Sequence, residues 1–292
     1  MAIKKKRLIK SLAQGRPPTV QKPRSISRKA TKALINSHHV LEKKKAQALS
    51  KGDTVTAAAV DSEIAALGGI EKYQQASLQG QRNDRGGDSS RVLMEWLKPS
   101  TSHFDASGGD RLRMLEVGAL SVTNECSRSG LFDMERIDLN SQSDGILQQD
   151  FMKRPLPDSD SGRFDIISLS LVLNFVPDAT GRGSMLLRTL HFLKERAAYP
   201  SAELQRVFPS LFLVLPAPCV TNSRYMDENH LEAIMNAIGF EKARAKLTQK
   251  LVYYLWTKQD KPAVEPRAFK KVEIRPGPTR NNFSIVLGGK AG

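Results

Sequence analysis

The feature that most constrains this chain is a pair of short apolar runs twenty residues apart, each closed by a ligand-type residue. The first, Arg113-Met-Leu-Glu-Val-Gly-Ala-Leu-Ser121, ends in an acid, Glu116, and a glycine, Gly118. The second ends in Arg136-Ile-Asp-Leu139, with Asp138 at its tip. A strand–turn–helix–strand unit with this layout can hold a nucleoside. The glycine lets the backbone approach a ligand closely. An acid at the tip of the next strand accepts from both ribose hydroxyls.

The runs around this pair alternate between strand and helix patterns. Strands are expected at Arg111–Val117, Met134–Leu139, Phe164–Leu169 and Ser210–Leu215, with a short third strand closed by Asp150. Helices are expected at Ser90–Leu97, Gly183–Arg196 and Asp227–Ile238. Such alternation implies a mostly parallel sheet covered on both faces. Val252–Thr257 and Asn282–Leu287 are expected as two last strands with an antiparallel finish. Upstream, Ser25–Ser50 and Thr54–Leu67 read as a helical pair around the stop and cap Lys51-Gly-Asp53, with a short helix near Tyr73. The polar, Gly-rich stretch 80–88 reads as a loop, either a plain linker or a lid. The domain reading is therefore a basic tail over 1–24, a helical subdomain with its linker over 25–88, and an α/β domain over 89–292.

Charge divides the chain in another way. Residues 1–45 hold 14 lysines and arginines against one acid, Glu42, so +13 of the total +15 sits there. A near-neutral body with a basic arm is the footprint of a protein that meets a polyanion. The arm residues are Lys4, Lys5, Lys6, Arg7, Lys10, Arg16, Lys22 and Arg24. The bland reading is a solvated tail that only keeps the protein soluble. No apolar run is long enough to span a bilayer, so no membrane partner is expected. Cys126 and Cys219 lie far apart and the five histidines are scattered, so no metal is expected.

The turn Gly118-Ala-Leu-Ser-Val122 lacks the further glycines that bring a backbone onto a pyrophosphate. A nucleoside without phosphates needs no such approach, and S-adenosylmethionine is one. In this reading Gly118 and Ala119 line the cofactor, Asp138 holds the ribose, and Leu139 follows on the strand tip. Glu116 lies near the amino-acid moiety and acts through water. Asp150 and Phe151 meet the adenine, the carboxylate accepting from its amine and the ring packing on its face. Ser168 and Ser170 lie at the exit of the fourth strand, beside the methyl group. Each has a plainer alternative: a helix cap for Asp138, a turn residue for Asp150, and buried hydroxyls for the serines.

Four stretches also carry a family resemblance. They are Gly69-Ile-Glu-Lys-Tyr-Gln-Gln-Ala-Ser77, Leu115–Ser121, Phe164-Asp-Ile-Ile-Ser-Leu-Ser-Leu-Val-Leu-Asn-Phe-Val-Pro177 and Leu215-Pro-Ala-Pro-Cys-Val-Thr-Asn-Ser-Arg-Tyr225. Together they resemble the fungal nucleolar 25S rRNA adenine-N1 methyltransferases over nearly the whole chain. The resemblance implies a class I S-adenosylmethionine-dependent methyltransferase fold: a Rossmann-like sheet with helices on both faces, plus an N-terminal helical extension. It implies large-subunit rRNA as substrate, a nuclear and nucleolar location, and Gly118 and Asp138 as cofactor contacts. Animal relatives of similar sequence are described as S-adenosylmethionine sensors, so a non-catalytic binding module is the rival reading. The [Asp/Asn]-Pro-Pro-aromatic motif of exocyclic-amine methylases is absent, since Ser170-Leu-Val-Leu173 stands in its place. The candidate base pocket is Ser170 and Asn174 after the fourth strand and Asn222 and Tyr225 after the fifth. Arg224 is the candidate phosphate contact there.

Overall fold

The computed structural model describes residues 28–69, 71–72, 88–101, 111–141, 143–261 and 268–288. The basic tail, the region around Tyr73 and nearly all of the 80–88 loop lie outside the described residues. Helices α1 (Arg28–Ser50) and α2 (Thr54–Ala66) form an antiparallel pair. Gly52 at φ +72° ends the first, and the Asp53 carboxylate caps the second by accepting from the Thr56 amide at 2.9 Å. The ion pairs Lys45–Asp61 (2.6 Å) and Lys44–Glu63 (3.6 Å) link the two helices.

Helix α3 (Ser90–Thr101) leads into the sheet. Strands β1 (Leu112–Val117), β2 (Phe132–Asp138), β3 (Leu147–Gln148), β4 (Ile166–Ser170), β5 (Ser210–Pro216), β6 (Phe240–Leu247) and β7 (Leu251–Lys258) line up in the order β3-β2-β1-β4-β5-β7-β6. The first five are parallel, and β7 inserts antiparallel between β5 and β6. Helices α4 (Ala179–Phe192) and α5 (Glu228–Ala237) complete the main elements.

The period-2 alternation of strand side chains sends each strand's apolar residues into two separate cores. Leu115, Val117, Ile167, Leu169, Leu213 and Trp256 pack with Met185 and Leu186 of α4 and with Leu231, Ile234 and Met235 of α5. On the opposite face, Met114, Ile166, Phe212, Val214 and Leu255 pack with Leu93 and Leu97 of α3 and with Phe208. Most of these side chains are fully buried, each contributing about 1.5–3 kcal/mol by removal from water. Cys126 and Cys219 are free and buried.

Several boundaries differ from the sequence expectation. Helix α4 starts before Gly183 because the Asp178 carboxylate accepts from the Gly181 amide at 2.6 Å and opens the helix there. It stops at Phe192 because Leu193 bridges to Phe164 and leaves the helical path. The third strand closes at Gln148, and Asp150 begins the following turn by accepting from the Met152 amide at 2.8 Å. Asn282–Leu287 is no strand of the sheet. It is an extended segment with a single bridge, Phe269–Leu287, and it buries Phe283, Ile285 and Leu287 against the α4–α5 core. The second antiparallel neighbour of β7, besides β5, is instead Phe240–Leu247, which the sequence reading left unassigned. Its string Phe-Glu-Lys-Ala-Arg-Ala-Lys-Leu is polar because it forms the sheet edge, where charged side chains deter pairing with other chains.

Candidate active site

In an open parallel sheet a ligand sits beyond the carboxyl ends of the strands, where the strand order reverses. Here that point lies between β1 and β4. Gly118 follows β1 at φ +72°, and a Cβ on it would lie 2.6 Å from Val172 Cγ2. The amides of Gly118 and Ala119 both donate to the Ile137 carbonyl, at 2.8 and 3.1 Å. The turn is thereby pinned to the end of β2, one residue before Asp138. The Asp138 carboxylate accepts from the Asn140 amide at 2.8 Å, and its carbonyl accepts from the Gln149 amide at 2.8 Å. Leu139 beside it is 65% exposed and presents an apolar surface next to Asp138.

Phe151 does not join that surface. Its ring is buried in the core, 5.4 Å from the ring of Phe192, with the Arg188 guanidinium over it. The expected stacking of this ring on an adenine therefore does not carry over to Phe151. Asp150 is half-buried and engaged in its own turn.

On the α3 side, Glu116 meets a partner that sequence reading missed. The Asn124 side-chain amide donates to both Glu116 oxygens at 2.9 Å, while Asn124 Oδ1 caps the short helix Glu125–Arg128 through the Ser127 amide. Burial pushes the Glu116 carboxyl up to about 7, against the opposing pull of Asn124 and Arg136. Asp88 closes this side, accepting from the Ser90 amide and hydroxyl at 2.9 and 2.7 Å and from the Glu125 amide at 2.6 Å. The capping potential of Asn124 is readable in Asn-Glu-Cys-Ser. Its reach back to Glu116 is not, because nothing local encodes it.

Past β4 the chain turns sharply. Ser168 is buried between Glu116 of β1 and Phe212 of β5 in the sheet register. Ser170 shares a 2.8 Å hydrogen bond with Ser89. Leu171 adopts φ +58°, a left-handed conformation that costs a leucine about 1–2 kcal/mol. That reversal directs Val172 onto Gly118. Further along, Asn174 Oδ1 is shielded from solvent and accepts no hydrogen bond among the described residues.

Past β5, Asn222 is exposed and Tyr225 half-buried, with the Lys271 ammonium 4.3 Å from the Tyr225 ring centroid. Arg224 is not open to a phosphate in the expected way. Its guanidinium donates to Asn282 Oδ1 at 2.7 Å and to the Gly277 carbonyl at 2.8 Å. Gly118, Asp138, Glu116, Ser170 and Asn174 thus gather at one edge of the sheet, with Asn222 and Tyr225 after the next strand along that edge.

A family model described as 25S rRNA (adenine(2142)-N(1))-methyltransferase, Bmt2, matches residues 58–285. The chain belongs to this family. Within the family, a fission yeast (Schizosaccharomyces pombe) protein named 25S rRNA adenine-N(1) methyltransferase is 40% identical over 258 residues, covering 88% of the chain and 91% of that relative. A budding yeast (Saccharomyces cerevisiae) protein named 25S rRNA (adenine(2142)-N(1))-methyltransferase is 40% identical over 228 residues, covering 77% of the chain but 62% of its own length. A solved O-methyltransferase family protein from Burkholderia thailandensis covers 80% of the chain and 74% of its own at 9% identity, with a TM-score of 0.37. Membership of an adenine-N1 methyltransferase family, together with the sheet order, makes this a class I methyltransferase fold. Among the described residues no helix is long and apolar enough to cross a membrane, and no cluster of three metal-ligating side chains occurs.

Proposed function

We propose that this chain methylates N1 of an adenine in large-subunit rRNA, with S-adenosylmethionine as methyl donor, during ribosome assembly in the nucleolus. The observation that carries this reading is the 40% identity, over nearly the whole chain, to a relative named for that reaction. The same observation favours the enzyme over the non-catalytic sensor.

The site's geometry is compatible with the donor. A Cβ on Gly118 would meet Val172 Cγ2 at 2.6 Å, so only glycine fits this turn, which is tied to the strand tip that carries Asp138. Gly118 and Ala119 would line the cofactor and Asp138 would take the ribose hydroxyls. Leu139 and Asp150 would border the adenine, with Glu116 behind the amino-acid end. When bound, the sulfonium supplies an activated methyl group. Adenine N1 carries an in-plane lone pair and no proton at neutral pH, so the protein needs no general base. Its task is to position that nitrogen, and orientation alone can supply most of the acceleration. N1 is engaged in pairing within a duplex, so the target base must be single-stranded or flipped out. Ser170, Asn174, Asn222 and Tyr225 would form the pocket that receives it. The basic arm of residues 4–32 would supply affinity for the rRNA backbone more than choice of base.

The test is mass spectrometry of rRNA nucleosides from cells lacking the protein, complemented with wild type or with Gly118→Arg. Loss of N1-methyladenosine in the null, restored by wild type and not by Gly118→Arg, is the expected result. Unchanged N1-methyladenosine in the null would remove the enzyme reading.

A further inference from the structure

Several basic residues of the folded body are paired with carboxylates, whereas a cluster beside the loop after β5 is not. At the amino edge, Arg113, Arg163, Lys194 and Lys258 pair with carboxylates of Glu135, Asp160, Asp165 and Glu195. At the carboxyl edge, the segment 268–288 carries four basic residues against one acid, Glu273. Among the described residues, none of Lys270, Lys271 and Arg280 is paired with a carboxylate.

This segment is fixed in place as a strap across the loop that follows β5. The Ile274 and Arg275 amides donate to the Arg224 carbonyl at 2.9 and 3.2 Å, and the Arg224 amide donates to the Asn281 carbonyl at 2.9 Å. The Asn281 amide returns to the Asn222 carbonyl at 3.0 Å. Arg275 turns inward, its guanidinium donating to the carbonyls of Val220, Thr221, Ser223 and Met226. That fork closes the short helix Pro218–Thr221 and holds the Asn222–Tyr225 loop. Of the strap's remaining cations, Lys270 and Lys271 are exposed, while Arg280 is half-buried and its Nε donates to the Pro276 carbonyl at 3.0 Å. Lys271 covers the Tyr225 ring, and Arg280 reaches Asn222 Oδ1 at 3.5 Å.

We propose that this strap is a second RNA-binding surface, distinct from the N-terminal arm, in which Lys270, Lys271 and Arg280 contact the phosphates flanking the target adenine. The proposal deepens the rRNA methyltransferase reading and rests on it. Uncompensated cations on an immobilised segment lose little conformational freedom on binding a polyanion, unlike those of a flexible tail. Their place beside Asn222 and Tyr225 lets backbone contacts set the register of the base in the pocket. The strap cations thus position the substrate, whereas the arm contributes general affinity.

The experiment uses the full-length protein and deproteinised 25S rRNA from cells lacking it, with Kd measured between 50 and 200 mM KCl. The variant Lys270→Glu/Lys271→Glu/Arg280→Glu is compared with Arg206→Glu, an exposed charge at the amino edge. A neutral Lys270→Gln/Lys271→Gln/Arg280→Gln variant covers the case in which charge reversal disturbs the strap. The strap variants should weaken binding about 10-fold or more and flatten the salt slope by about 0.7 per lost phosphate contact. They should also raise KM for RNA while S-adenosylmethionine affinity by calorimetry stays at the wild-type value. A salt slope and Kd matching those of wild type or Arg206→Glu would overturn the proposal. Failure of wild type to form N1-methyladenosine would instead strike the underlying functional reading.

Discussion

The two edges of the sheet end the same strands in opposite ways. At the amino edge, Asp165 is 1% exposed and fully partnered. It accepts from the Arg113 amide at 2.6 Å, the Lys194 ammonium at 2.9 Å and the Tyr199 hydroxyl at 2.6 Å. Burial, and then the Asp165 charge, raise the Tyr199 pKa and keep that hydroxyl a donor. At the carboxyl edge, Gly118 and Leu171 have positive φ, Glu116 is held where ionisation is disfavoured, and Asn174 Oδ1 lacks a partner among the described residues. A buried, fully partnered carboxylate ties the strands together at one end, although Arg163 Nε, Arg196 Nε and Ser210 Oγ there have no hydrogen-bond partner among the described residues. The strained Leu171 and the disfavoured Glu116 charge lie at the other end, where a ligand would meet them.

The sharpest way to break this comparison is Asp165→Ala. It strands the Lys194 ammonium and the Tyr199 hydroxyl, and should cost about 3–5 kcal/mol of stability. Chemical denaturation would measure that loss, while methylation per folded molecule should hold. A large change in activity at permissive temperature would mean that the edges are not separable. Next in size is Asp138→Ala, expected to weaken S-adenosylmethionine binding about 100-fold, or ~2.7 kcal/mol, with little change in melting temperature. Calorimetry decides it, and unchanged affinity would show that this carboxylate serves only its own turn.

The smallest effect is a pH dependence. Native Glu116 keeps its proton up to about pH 7, whereas an unfolded glutamate loses it near 4.5. The folded state therefore binds the extra proton between those values, and stability falls as pH rises through that window. Glu116→Gln cannot ionise. Its unfolding free energy, measured by chemical denaturation, should fall less than that of wild type between pH 5 and pH 8, a gap of about 1–3 kcal/mol. Parallel curves for the two proteins would place the Glu116 carboxyl in water.

The main strands, the α5 helix and the order of the Gly118 and Asp138 elements were readable because apolar periodicity records which face is buried. Where that signal was weak, the reading slipped. Asn282–Leu287 is apolar enough to look like a strand, yet it packs beside α4, where a Cβ on Gly183 would lie 2.0 Å from the Val286 carbonyl oxygen. Strand β6 is too polar to announce itself. Phe151 has the composition of a ligand contact and the environment of a core residue.

By itself the sequence determined the alternation of elements, the positions of the glycine turn and the acidic strand tip, and the concentration of charge in residues 1–45. Only the tertiary structure decided that Val172 faces Gly118, that Asn124 holds Glu116, and that a cationic strap covers the loop after β5. The former are written in neighbouring residues through propensity and period. The latter join positions 8 to 59 residues apart, which meet only once strand order and register are set.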